Sequence, residues 1–128
     1  MTNKIKYAII GGGCMGQEHI LNIEIIDDVE VVAICDTSKQ SIKDCLDLLN
    51  NEVTIFDNYE DLVEANIADA YIIATPNFTH LEVLKGVLKS NAHLLIEKPL
   101  CTTVEDCREF EKLTSNYPGV IWTAMEYR

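Results

Sequence analysis

Three glycines, Gly11, Gly13 and Gly16, stand at G-x-G-x-x-G spacing between an apolar run and an amphipathic stretch. With this spacing a backbone turn can cradle a pyrophosphate. Gly11 would let the chain turn sharply out of a strand. Gly13, without a Cβ, would let a phosphate approach the backbone. Gly16 would let the following helix pack closely on a sheet. Phosphate oxygens would then meet the N–H groups at the helix start, around Cys14 and Met15, and the positive end of its dipole. Asp36 follows 25 positions after Gly11, at the close of a second apolar run. An acid there accepts hydrogen bonds from the adenosine ribose hydroxyls and repels a 2′-phosphate, which puts NAD ahead of NADP. Thr37, Ser38 and Lys39 follow it and could hold such a phosphate, and Asp36 alone could equally be a helix N-cap.

Two further turns carry candidate chemistry. Thr75-Pro76-Asn77 ends a third strongly apolar run, and its backbone could touch the second phosphate, the ribose or the nicotinamide. It reads as well as a plain strand-to-helix turn with proline near the helix start. His80 lies at the start of the next helix, where packing or capping is the commoner role. Glu97-Lys98-Pro99 ends another buried strand. A lysine there would point into the cofactor crevice, where its ammonium can hydrogen-bond a substrate oxygen and stabilise developing negative charge. Alone, it is simply a solvated lysine at a strand end.

The elements that must position these residues follow from periodicity. Apolar strands are expected at residues 5–10, 30–35, 53–56, 69–74, 92–97 and 120–125. Helices are expected at 14–26, behind Thr37, at 59–65, from about Leu81 to Ser90, and behind Thr102. Thr37 with Gln40, and Thr102 with Glu105, have capping-box spacing. In the first helix Met15, His19, Ile20, Ile23 and Ile26 fall near one face, and Leu21 and Ile25 widen it, so burial on more than one side is expected. Strands that are apolar throughout and separated by helices belong to a parallel sheet covered on both faces. The fold class is therefore α/β: a doubly wound parallel sheet of about six strands, a Rossmann domain over residues 1–128.

Composition narrows the rest. The 128 residues carry a formal net charge of -11, which argues against nucleic acid and against anionic membranes as partners. An anionic cofactor must then be bound locally, by backbone amides and a helix terminus. Five cysteines, an odd count with no C-x-x-C pair, indicate neither a disulfide framework nor a metal site and suit a cytoplasmic protein. The apolar run behind Lys4 and Lys6 breaks at once into glycine, so it reads as a strand and not a signal peptide.

The ordered set Gly11-x-Gly13-x-x-Gly16-x-x-His19, Asp36, Thr75-Pro76-Asn77-x-x-His80 and Glu97-Lys98-Pro99 resembles the N-terminal half of the glucose–fructose oxidoreductase, inositol dehydrogenase and MocA family. The resemblance spans essentially the whole chain. It implies a domain binding NAD or NADP in enzymes that oxidise or reduce sugars, cyclitols and related alcohols or ketones. It implies that Lys98 contacts the reacting substrate oxygen and fits a cis bond before Pro99. It also brings His80 and Glu97 into the cofactor site. At Glu126-Tyr127-Arg128 the family often has an asparagine near an arginine, so Glu126 departs from the pattern. Family members continue into a second α/β domain that supplies most substrate contacts, often a proton-relay aspartate and histidine, and the oligomer interface. That domain is expected to be absent here. The chain is then either the cofactor half of an oxidoreductase, inactive alone, or a free-standing module that senses redox state or scaffolds a partner. A methyltransferase-like domain also uses a glycine turn and an acid after the second strand, but Thr75-Pro76-Asn77 and Glu97-Lys98-Pro99 argue against it.

Overall fold

The computed structural model of the chain describes residues 3–125, so Glu126-Tyr127-Arg128 lies outside the described residues. Six strands, β1 (Ile5–Ile10), β2 (Val29–Cys35), β3 (Thr54–Phe56), β4 (Ala70–Ile73), β5 (His93–Glu97) and β6 (Ile121–Ala124), form one sheet in the order β3-β2-β1-β4-β5-β6. Every neighbouring pair is parallel. Five helices connect them: α1 (Cys14–Glu24), α2 (Lys39–Leu48), α3 (Tyr59–Ala65), α4 (His80–Val87) and α5 (Val104–Thr114). This is the doubly wound order of a Rossmann sheet, with the strand sequence reversing between β1 and β4.

The continuous apolar strands have a direct cause. Alternate residues of one strand feed two separate cores, because successive side chains point to opposite faces. Ile9, Ile34 and Ile72 pack with Ile20 and Ile23 of α1 and Cys45 of α2. Ala8, Ile10, Tyr71, Ile73 and Ile96 pack on the other face with Leu62 of α3 and Val83, Leu84 and Val87 of α4. Removing any of these large side chains to alanine should cost about 2–5 kcal/mol.

Three local expectations are corrected. α1 is buried along one stripe only, through Gly16, Ile20 and Ile23. Leu21 and Ile26 are about half exposed and Ile25 is 82% exposed, because the helix ends at Glu24 and only its inner side meets the sheet. The cap of α2 is Ser38, whose hydroxyl accepts from the Ser41 N–H, and not Thr37. The Ser38 N–H is itself held by Asp36 Oδ1 at 2.8 Å, which carries the turn one residue further before the helix begins. Likewise Thr103, accepting from Asp106 N–H, caps α5 in place of Thr102.

In a parallel sheet all strands end at one edge. The segments after β1, β2, β3, β4 and β5, which begin at Gly11, Asp36, Asp57, Ala74 and Lys98, therefore share that edge.

Candidate functional site

The glycine turn is built tightly between β1 and β4. Gly11 has φ +98°, and a Cβ there would lie 2.5 Å from the Ala74 carbonyl oxygen, so glycine alone is comfortable. A Cβ at Gly16 would collide with the Gly11 carbonyl oxygen. Gly13 is different: a Cβ there would have nothing within 4 Å. The space that glycine leaves at Gly13 is thus open to a ligand, whereas Gly11 and Gly16 are required by the fold itself.

Behind Gly13, α1 starts with no side-chain cap and no acid in its first turn. By contrast α2, α3 and α5 are each capped by a side chain, Ser38, Asn58 and Thr103. The first N–H groups of a helix have no intrahelical acceptor, so the start of α1 presents donors and a positive dipole end toward the cleft. The carbonyl of Gly12 is held by Gln17 Nε2 at 3.0 Å, and the Cys45 thiol donates to it at 3.4 Å. The turn is therefore fixed before anything binds.

Asp36 is fixed too. Its Oδ2 accepts the Gly12 N–H at 2.7 Å and its Oδ1 accepts the Ser38 N–H at 2.8 Å. The glycine turn and the end of β2 are thereby tied through one carboxylate. Each oxygen keeps a second lone pair for a ribose hydroxyl. The carboxylate sits beside the cleft that a 2′-phosphate would have to enter, and a like charge there is repelled.

The cleft has a volume of about 580 Å³. Gly11, Gly13, Cys14 and Met15 line its floor and the start of α1, Asp36 and Thr37 one side, and Thr75 and Pro76 the other. Sequence reasoning missed Ser41 on α2 and Asp57, Asn58 and Tyr59 after β3, which also line it. The only available signal was position: they follow the end of a strand adjacent to β2. Cys35 lines the cleft as well. Burial, and then the nearby carboxylates led by Asp36, push its thiol up to about 12, so it is a protonated, apolar wall. Among the described residues, no group of three or more His, Cys, Asp or Glu is arranged to hold a metal ion. No helix among them is long and apolar enough to cross a membrane.

Five expected site residues lie outside the lining of this cleft. Gly16 is buried beneath it. Asn77 is exposed and begins a short 3-10 turn over 77–79. Lys98 is exposed at the end of β5, one strand beyond the cleft wall, and its bond to Pro99 is cis. Glu97 is 5% exposed, and its Oε1 lies 2.5 Å from His19 Nε2 on α1. His80 is fully buried, with Nδ1 2.8 Å from the Pro99 carbonyl oxygen and Nε2 3.1 Å from that of Thr75. Glu97 Oε1 and both ring nitrogens of His80 are thus engaged by the protein, and neither residue lines the cleft.

A glycine turn opening on an uncapped helix, with a fixed acid at the end of β2 and strands reversing between, defines a dinucleotide-binding Rossmann domain. Residues 5–124 match the family model described as "Oxidoreductase family, NAD-binding Rossmann fold", and the chain belongs to that family. Inositol 2-dehydrogenase of Salmonella typhimurium is 31% identical over 105 residues, 81% of this chain and 31% of that protein. The rhizopine catabolism protein MocA of Rhizobium meliloti is 28% identical over 114 residues, 89% of this chain and 35% of that protein. Among solved structures, the WlbA dehydrogenase of Bordetella pertussis, in complex with NADH and UDP-GlcNAcA, superposes with a TM-score of 0.86 at 26% identity, covering 97% of this chain and 36% of that one. The chain thus spans about a third of the length of the relatives it matches.

Proposed function

We propose that residues 1–128 are the NAD-binding part of an oxidoreductase that moves a hydride between the nicotinamide and a cyclitol or sugar-like alcohol or ketone. The observation that carries this reading is the open space at Gly13, in front of the uncapped start of α1 and on the floor of the cleft that Asp36 also lines. The start of α1 and the Gly13 backbone take the pyrophosphate, and Asp36 takes the adenosine ribose. Thr75 and Pro76 form the wall toward the nicotinamide. Lys98 hydrogen-bonds the reacting oxygen of the substrate and steadies the charge that develops there. The bound dinucleotide supplies the hydride chemistry, and the chain's residues orient it. The names of the relatives, inositol 2-dehydrogenase among them, support the substrate class.

In this reading the walls of the substrate pocket, the proton relay and any oligomer interface come from polypeptide outside residues 1–128. The five cysteines, all free thiols, fit a reducing cytoplasmic setting. Calorimetric titration with NADH and NADPH tests the proposal. NADH should bind at least about tenfold more tightly, the worth of roughly one charge-assisted hydrogen bond. Equal affinities would remove Asp36 from its role. The chain incubated with NAD and a panel of cyclitols and sugars should form no NADH, and steady turnover would refute the division of labour.

A further inference from the structure

We infer that His80 is a positioning residue that donates from both ring nitrogens at once, and so joins the Thr75-Pro76 wall of the cleft to the Lys98-Pro99 turn. The inference rests on the reading of the cleft as a dinucleotide site. The sheet explains why a joint is needed there. The ladder between β4 and β5 closes at the pair Ile73 and Ile96, so beyond it the two segments are no longer in register with each other. Thr75 lies two residues past the end of one ladder strand, and Pro99 three past the other. His80 opens α4 behind both, and its ring spans the gap to the two carbonyl oxygens at 2.8 and 3.1 Å.

The chemistry of the two partners fixes the protons. A backbone carbonyl oxygen only accepts, and here an acceptor faces each ring nitrogen. A neutral imidazole carries one N–H and one lone pair, so in either tautomer one of these contacts sets lone pair against lone pair. With a proton on each nitrogen, both contacts become charge-assisted hydrogen bonds, which are shorter and roughly twice as strong as neutral ones. A cation at a fully buried position is costly, and two charge-assisted hydrogen bonds act against that cost. Thr75 is steadied further, because its hydroxyl lies 2.7 Å from Thr79 Oγ1, which itself donates to the Pro76 carbonyl oxygen at 2.6 Å. One side chain therefore sets the spacing between the nicotinamide wall and the turn that presents Lys98.

Long-range proton–nitrogen spectra of the 128-residue chain test the proton count, with His80 assigned by its loss in His80→Gln. Slowly exchanging protons on both Nδ1 and Nε2 are expected. A single ring proton, with the other nitrogen bearing a lone pair, would overturn the inference. NADH titration of folded variants tests the positioning. Glutamine carries its two N–H donors on one nitrogen and cannot replace donors at both ends of the ring, so it should weaken NADH binding about tenfold, and His80→Leu should weaken it more. Unchanged affinity in a folded His80→Leu chain would overturn the positioning role, and if that variant fails to fold, the ring-proton count still decides. Absence of NADH binding by the unaltered chain would sink the dinucleotide reading itself, while the ring-proton count would continue to judge the bridge.

Discussion

β1 and β2 are covered by helices on both faces, whereas across β5 and β6 one face lies open. On the face packed by α1 and α2, Ile9, Val31, Ile34 and Ile72 are buried. Further along the same face Leu95 is only half-buried, and its registered partner Trp122 on β6 is 62% exposed. The polar groups differ in the same way. Asp36 already has both oxygens tied to the turn it serves. The Lys98 turn is anchored from behind, by Glu97 to His19 and by His80 to Pro99, but its exposed side is not enclosed. Holding a cofactor needs only a fitted cradle. Chemistry at the nicotinamide needs that end closed to water as well. Under the proposed function, the first half is finished for its task and the second is left to be closed by other polypeptide.

The comparison breaks most visibly at the glycines. Gly16→Val should abolish cooperative folding, or lower stability by at least about 3 kcal/mol, because the new side chain meets the backbone of Gly11 and nothing there can yield. Thermal unfolding followed by circular dichroism measures this. Gly13→Val should behave oppositely. Its Cβ meets open space, so the melting temperature should stay within a few degrees of the unaltered chain, while NADH affinity falls about a hundredfold or more. If Gly13→Val were as unstable as Gly16→Val, the distinction between a ligand glycine and a fold glycine would be lost.

Asp36→Ala is the next step down. It removes the ribose acceptor and leaves the Gly12 and Ser38 N–H groups without their carboxylate, so NADH should bind about ten- to a hundredfold more weakly. NADPH should be affected less, which narrows the preference between the two. A ratio of the two affinities unchanged by the substitution would mean that the preference arises elsewhere, and Thr37 and Lys39 would be the next residues to vary.

These differences also mark how far the sequence could be read. β1 and α3 fall at the expected residues, because continuous apolar runs and local caps are short-range signals. The caps of α2 and α5 each lie one residue beyond the expected position, since neighbouring Thr and Ser side chains compete and only the exit path of the strand chooses between them. Ile25 and Ile26 fall on the expected inner face yet are exposed, because periodicity shows that a face is apolar, but not whether anything covers it. In the site, the glycines, Asp36 and the Thr75-Pro76 turn were legible as motifs. Asp57, Asn58 and Tyr59 were not, as they reach the cleft only through the pairing of β3 with β2. The join of His19 to Glu97 spans 78 residues and carries no local signature, and the two carbonyl partners of His80 belong to the backbone, which no residue type announces.

The smallest expected effect separates the halves without any substitution. Cys14 lines the cleft and is exposed, and Cys107 is exposed on α5, away from it. Both should be alkylated by iodoacetamide, since the thiolate is the reacting form and an exposed thiol meets the reagent. Saturating NADH should slow Cys14 several-fold and leave Cys107 unchanged, because only the first is covered by the cofactor. Cys35 and Cys45, pushed up to about 12 and about 11 chiefly by burial, should stay unmodified in the folded chain. Their folded values lie above the ordinary 9.0, so the fold favours the protonated thiol. That contribution to stability is complete below about pH 9 and is lost as pH rises toward 12. Mass spectrometry of the alkylated peptides at pH 8, with and without NADH, reads all four positions in one experiment. Equal protection of Cys14 and Cys107 would mean that the dinucleotide acts on the whole chain and not on the half that is built to hold it.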